Sequence, residues 1–173
     1  LFQQGGKGSK RVQLMGSGSI LREVIAAANI LAEDFGIQAD VWSCPSFNEL
    51  KRDGDDCVRW NLMHPDQKPR IPHVTACLEK HSGPVVAATD YVKLFADQIR
   101  AYVGRNFHVL GTDGFGRSDT RASLRRHFEI NRYYVTVAAL KTLADEGTIP
   151  AKTVKSAIRK YKLDPEKPNP LNV

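Results

Sequence analysis

A repeated alternation between short apolar runs and amphipathic segments is the feature that most constrains how this 173-residue chain can fold. Between residues 21 and 35, apolar side chains recur every three or four positions, and charged side chains fall on the opposite side. This spacing predicts a helix with one buried face, and Gly36 stands where such a helix would end. Four apolar runs of strand length are predicted strands: residues 12–15, 37–43, 84–88 and 107–111.

Strands that are separated by helices favour parallel pairing, with the crossover helices covering both faces of the sheet. We therefore predict a single α/β domain over residues 1–173, a three-layer α/β/α arrangement with a mostly parallel sheet of about five strands. Residues 1–4, joined by a short glycine-rich loop, are predicted to add one antiparallel edge strand. Further helices are expected near residues 45–62, 74–79, 94–103, 121–128 and 132–146, and from Pro150 onward.

The two ends of the chain lead to separate expectations. The sequence starts without Met and enters a strand-like segment at once, so we expect a fragment of a longer multidomain protein. Residues 164–173 contain three prolines, which predicts an extended C-terminal tail that is poorly ordered unless other residues hold it.

Composition excludes several classes of protein. Apolar residues make up 42% and charged residues 25% of the chain, and no apolar run reaches the length of a membrane helix. The three cysteines are too few and too scattered for a disulfide framework or a zinc site, and no histidine has a partner at metal-ligand spacing. We expect a reduced, cytoplasmic setting and no contact with membranes.

A glycine-serine turn follows the first predicted strand at residues 16–19. Backbone N–H groups at the start of a helix can bind a phosphate, so a small nucleotide-binding α/β enzyme is one alternative. The dinucleotide motif needs a third glycine at the position that Leu21 occupies here. A tight turn with serine capping is therefore the favoured interpretation.

The loop of residues 111–119 follows the last predicted strand, at the edge where open parallel sheets form ligand sites. It can contact a neighbouring domain or line the rim of an active site. It can instead be a structural loop, in which one aspartate bonds its own backbone and another caps the next helix. Both alternatives stay open. The candidate contact residues are Asp113, Phe115, Arg117, Ser118 and Asp119.

The final predicted helix carries four basic residues on one face: Lys152, Lys155, Arg159 and Lys162. The formal net charge of the chain is +6, so acidic partners are favoured in general. These four residues are candidates for docking a protein partner, and a stand-alone nucleic-acid-binding module is the alternative. A solvated helix face remains the simplest interpretation.

Several segments occur in one order and together resemble a known family. They are Gly16-Ser-Gly-Ser-Ile-Leu-Arg-Glu23, Ser46-Phe-Asn-Glu-Leu50, Arg59-Trp-Asn61, His64-Pro65, Asp90-Tyr-Val-Lys-Leu-Phe-Ala96 and Val109-Leu-Gly-Thr-Asp-Gly-Phe-Gly-Arg-Ser-Asp119. Over nearly its whole length, the chain resembles the C-terminal domain of the bacterial homodimeric pyruvate dehydrogenase subunits, within the transketolase-like superfamily. The resemblance implies a three-layer α/β domain with one antiparallel edge strand.

The resemblance also implies an activity for the intact subunit. Such subunits decarboxylate pyruvate with thiamine diphosphate and magnesium, and then acetylate a lipoyl group of the dihydrolipoyl acetyltransferase component. The expected partners are a second copy of the subunit and that acetyltransferase, with no nucleic acid.

The family's diphosphate motif is Gly-Asp-Gly followed by Asn, and neither Asp53-Gly-Asp55 nor Asp113-Gly-Phe115 matches it. We therefore expect the cofactor to bind outside this domain. No catalytic, cofactor-binding or metal residue is assigned here, and the domain alone is expected not to be catalytic.

Overall fold

A computed structural model describes all residues of the chain, from 1 to 173. Four strands form one parallel sheet: β1 (Arg11–Gly16), β2 (Gln38–Ser43), β3 (Val85–Ala88) and β4 (Phe107–Leu110). Their spatial order is β2-β1-β3-β4, so the first strand, β1, lies between β2 and β3.

Eight α-helices connect and cover the strands, and several have clear local signals. Gly36 ends the first helix in the left-handed conformation, with φ of 63°. Ser46 caps the second helix by accepting a hydrogen bond from the N–H of Glu49, at 3.2 Å. The helices are α1 (Leu21–Phe35), α2 (Phe47–Met63), α3 (His73–Leu78), α4 (Lys93–Asp97), α5 (Arg100–Val103), α6 (Arg121–His127), α7 (Arg132–Asp145) and α8 (Ala151–Lys160).

Two hydrophobic cores lie on opposite faces of the sheet. Successive strand residues alternate between them: Leu14 packs with α1 and α7, whereas the next residue, Met15, packs in the core that includes residues of α3. In β3, Val86 and Val85 divide between the two cores in the same way. Because both faces are covered, most residues of β1, β2 and β3 are buried, and the architecture has three layers.

The predicted fold class is confirmed, with differences in detail. The fifth, antiparallel edge strand is reduced to one bridge: Gln3 pairs with Val41, whose N–H donates to the Gln3 carbonyl at 2.8 Å. The segment after residue 45 forms one continuous helix of 17 residues. The helix predicted at residues 94–103 is divided into α4 and α5.

A buried polar cluster joins the amino-terminal end of the sheet to the surrounding loops. Asp40 on β2 is 1% exposed and pairs with Arg11 and His81. Gln13 on β1 donates to the Asp40 carboxylate at 3.0 Å and accepts from the indole N–H of Trp42 at 2.8 Å. All of these buried polar groups therefore have partners, as a stable interior requires.

The predicted tail at residues 164–173 makes contacts with the domain. Pro170 is buried, and Lys167 donates to the carbonyl of His127 at 2.6 Å. The segment Pro170–Asn172 forms a short 3-10 helix capped by Asn169. No helix of the chain has the length and apolar character that crossing a membrane requires.

Candidate functional site

The loops after β1, β3 and β4 meet at the carboxyl edge of the sheet. Asp90, in the loop after β3, accepts a hydrogen bond from the hydroxyl of Ser19 at 3.0 Å. The hydroxyl of Thr112, in the loop after β4, donates to the Asp90 carbonyl at 3.1 Å. The Thr112 N–H donates to the Tyr91 carbonyl at 2.9 Å. These bonds fix the position of three loops relative to each other.

Asp113 positions the start of α4. Its Oδ1 accepts a hydrogen bond from the N–H of Lys93, the first residue of that helix, at 2.9 Å. The Lys93 Nζ lies 3.8 Å from Oδ2. The idea that Asp113 bonds its own backbone is therefore wrong, because its partner is 20 residues away in sequence.

The remaining loop candidates face solvent. The side chain of Phe115 is 79% exposed, and Arg117, Ser118 and Asp119 are exposed as well. Asp119 accepts from the N–H of Thr120 at 2.5 Å. The cap of α6 is Thr120 itself, whose hydroxyl accepts from Ser123, so the expectation that Asp119 caps this helix is wrong.

Two features near this loop were not identified from the sequence. His127 at the end of α6 lines a surface depression with Arg117, Ser118 and Asp119, and its buried Nε2 has no hydrogen-bond partner. In the adjacent loop after β3, Tyr91 is 61% exposed. The exposure of the segment Asp90-Tyr-Val-Lys-Leu-Phe-Ala96 can be inferred only when the end of β3 at Ala88 is known.

An ion cluster joins α1 to α6 and α7 beside this edge. Glu23 is 5% exposed and pairs with Arg125 at 2.9 Å and with Arg132 at 3.0 Å. Burial favours the neutral form of the Glu23 carboxyl, but hydrogen bonds and charge from Arg132, with the charge of Arg125, leave its pKa below the ordinary value. The cluster holds three helices together.

The glycine-serine turn at residues 16–19 has a packing role. A Cβ on Gly16 would lie 2.9 Å from the Cα of Leu21, so the glycine lets α1 approach β1. Gly18 has φ of 54°, and a Cβ there would lie 3.1 Å from the Asp90 carboxylate. A carboxylate facing the turn opposes phosphate binding, since like charges repel.

The four basic candidates are all exposed. Lys152, Lys155 and Arg159 lie on α8, and Lys162 follows the helix with φ of 52°. None of the four forms a salt bridge, and the guanidinium of Arg126 donates to the Lys162 carbonyl at 3.3 Å. These four residues therefore form a positively charged surface without acidic side chains paired to them.

Metal-ligating side chains are not clustered in this chain. No group of three or more histidine, cysteine or acidic side chains is placed to hold a metal ion. The cysteines are free thiols, and burial raises the pKa of Cys44 to about 12.

Comparisons with known proteins agree with this geometry. The family described as the transketolase-like TK C-terminal domain matches residues 2–131. The chain is 58% identical, over 99% of its length, to a protein of Cupriavidus necator named "Pyruvate dehydrogenase E1 component". Proteins with the same name from Pseudomonas aeruginosa and Escherichia coli K12 are 59% and 54% identical over 93% and 96% of this chain.

Two further comparisons set the scope of the likeness. The chain spans about a fifth of the length of these relatives, with 19% of the Cupriavidus protein covered. A solved structure named "Split gene transketolase, inactive beta4 tetramer" has the same fold, with a TM-score of 0.53 and 19% identity. It covers 80% of this chain, and this chain covers 41% of it. With the family match extending from residue 2 to residue 131, the chain belongs to the transketolase-like C-terminal domain family.

Proposed function

We propose that this chain is the C-terminal structural and interface domain of a thiamine-diphosphate-dependent pyruvate dehydrogenase subunit. The observation that carries the proposal is 58% identity over 99% of the chain to a protein named pyruvate dehydrogenase E1 component. In the proposed intact form, the subunit decarboxylates pyruvate and reductively acetylates the lipoyl group of an acetyltransferase component. It does so in the cytoplasm.

The cofactor is proposed to bind in other parts of the subunit. The resemblance places the cofactor's diphosphate on a Gly-Asp-Gly motif followed by Asn, and the lack of that motif in residues 1–173 supports this division of labour. Within the subunit, residues 1–173 form one domain. Their role is to supply contact surfaces.

We propose that the 111–119 loop is one of these surfaces and meets the second copy of the subunit. Asp113 fixes the loop to α4, while Phe115 presents an aromatic ring of which 79% is exposed. An exposed aromatic side chain on a fixed loop suits an interface anchor, because little conformational entropy is lost when it is buried.

The activity is tested by assaying the complete subunit. With thiamine diphosphate and magnesium added, we expect pyruvate-dependent release of carbon dioxide, and a slower release with a larger, branched 2-oxo acid. Equal or faster turnover of the branched acid would contradict the assignment to pyruvate.

The interface is tested by Phe115→Ser in the complete subunit, with dimer dissociation measured by analytical ultracentrifugation. We expect about a tenfold weaker dimer, the usual cost of removing an interface anchor. The control is Leu62→Ser near the far end of α2, a side chain of similar exposure, 76%. An unchanged dimer in Phe115→Ser, or an equal effect in the control, would contradict the proposed surface.

A further inference from the structure

We infer that residues 164–173 act as a strap that holds the 111–119 loop and α6 in place on the domain. The inference is independent of the activity proposed above, because it concerns only how this loop is positioned. It rests on the weak attachment of the loop to the core and on contacts of the strap at both ends of the loop–α6 segment.

The segment from the loop to α6 has few buried apolar contacts of its own. Every residue from 114 to 123 is exposed, and α6 contains no buried residue. A segment without buried apolar contacts opens at low free-energy cost. Polar contacts from Asp113 and Arg125 tie it to the domain, and other restraints have to come from outside the segment.

The first contact of the strap is with Gly114. This glycine has φ of 108°, and the space that a Cβ would need is occupied by the carbonyl of Pro170. The Cα of Leu171 would lie 3.3 Å from the same Cβ. Pro170 is itself buried, so this part of the strap is packed on the domain. The lack of a side chain at residue 114 lets the two backbones meet.

The second contact is with the other end of α6. The Lys167 ammonium donates to the carbonyl of His127, the last residue of α6, at 2.6 Å. It also pairs with Glu129 at 3.1 Å. A cation at a helix carboxyl end is favourable because it meets unpaired carbonyls and the negative end of the helix dipole. The strap therefore contacts the residues before and after α6.

The strap is shaped for this role by its own sequence. Asn169 accepts a hydrogen bond from the N–H of Leu171 at 3.0 Å, and the N–H of Asn172 donates to the Asn169 carbonyl at 2.9 Å. Asp164 accepts from the N–H of Glu166 at 2.9 Å. Proline at residue 170 fixes its own φ, which lowers the entropy lost on docking. The family match ends at residue 131, so the strap is supplied from outside the matched region.

The test is amide hydrogen exchange of Thr112, Leu124, Phe128 and Ile130 in the intact full-length protein, because the N–H of each donates to a backbone carbonyl. Deletion of residues 164–173 removes both contacts, and Lys167→Met removes the ammonium but keeps the aliphatic stem. We expect exchange about tenfold faster in each case, since charge-assisted hydrogen bonds are the strong ones. Lys152→Met, at an exposed lysine without a salt bridge, is the control and should leave exchange unchanged.

A second measurement separates the steric contact from backbone strain. Gly114→Ala is made in the full-length protein and in the deleted form, with Gly116→Ala as control because no atom lies within 4 Å of its Cβ position. The left-handed strain of Gly114→Ala is present in both backgrounds, whereas the clash with Pro170 exists only with the strap. We expect the substitution to accelerate exchange of residues 169–172 and to be less destabilising without the strap.

Two results would overturn the inference. Exchange of Thr112, Leu124, Phe128 and Ile130 that stays unchanged in both the deletion and Lys167→Met would show that the strap does not hold the loop and α6. An equal decrease in the free energy of unfolding on Gly114→Ala in both backgrounds would show that the Pro170 contact does not contribute to stability. Absence of pyruvate turnover in the unmodified full-length protein, with exchange as expected here, would instead count against the proposed function alone.

Discussion

The carboxylate of Glu23 on α1 is bound by Arg132 at the start of α7, 109 residues later in the chain. The Arg132 backbone N–H donates to Oε2 at 2.9 Å, and its side-chain Nε donates to the same oxygen at 3.0 Å. Arg125 on α6 adds a third donor group at 2.9 Å. One buried acid thus connects three helices beside the carboxyl edge of the sheet.

Replacing this acid tests how much the connection contributes. Glu23→Ala leaves Arg125 partly buried without its partner, so we expect the free energy of unfolding to fall by about 3 kcal/mol. The control is Glu33→Ala on the exposed face of the same helix, expected to change stability by less than about 0.5 kcal/mol. Urea denaturation of both variants measures the difference, and equal effects would contradict the account.

Asp40 predicts a pH dependence of stability. Burial favours its neutral form, but hydrogen bonds from Gln13, the Gly5 N–H and His81, with the charge of Arg11, leave its pKa below the ordinary value. A carboxyl with a lowered folded pKa stabilises the fold above the unfolded value of about 3.9, and this contribution is lost as pH falls through the folded value.

We therefore expect the free energy of unfolding to fall steeply below about pH 4, and to fall less steeply in Asp40→Asn. Urea denaturation at a series of pH values measures the two slopes. Asp66→Asn, at an exposed residue without a salt bridge, should keep the slope of the original protein. An unchanged slope in Asp40→Asn would show that this carboxyl is not responsible.

Gly83 is expected to be intolerant of any side chain. Its φ is 90°, and the carbonyl of Arg11 occupies the position of a Cβ. Gly83→Ala adds a backbone clash to the strain, so we expect a loss of about 3 kcal/mol or more. Gly104→Ala is the matched control: φ is 67° with no atom within 4 Å, and about 1 kcal/mol is expected. Thermal or urea unfolding compares them, and similar losses would rule out the clash.

The basic residues after Pro150 lead to a prediction about the proposed acetyltransferase partner. Reversing the charge of Lys152, Lys155, Arg159 and Lys162 should weaken its binding to the complete subunit and reduce the salt dependence of that binding. The control reverses four other exposed lysines that lack salt bridges, Lys7, Lys10, Lys68 and Lys80. If both variants bind equally well, the docking surface lies elsewhere. Binding is measured by surface plasmon resonance at two salt concentrations.

Periodicity predicted the elements that depend on local sequence. The helix at residues 21–35 and its end at Gly36 agree with the structure because the apolar spacing and the left-handed cap are both local signals. The division between α4 and α5 was missed, since the apolar spacing of residues 94–103 continues across it. Strand positions followed from apolar runs bounded by helices, and the parallel pairing followed from the alternation itself.

Contacts between distant residues could not be predicted in this way. Gln13 lies within a predicted strand, and it donates to Asp40, 27 residues away in sequence, and to the carbonyl of Ser82, 69 residues away. The prolines of the tail predicted an extended segment, but its packing on Gly114 depends on the fold of the whole domain. The loop after β4 was located correctly, whereas the partner of Asp113 required the three-dimensional arrangement of α4.

Calorimetric titration with thiamine diphosphate and magnesium tests the central claim most directly. The claim is that this domain belongs to a cofactor-dependent subunit but does not itself hold the cofactor. Titration is done with the complete subunit and with residues 1–173 alone. We predict micromolar binding by the complete subunit and no detectable binding by the domain. Micromolar binding by the isolated domain, or none by the complete subunit, would contradict the account.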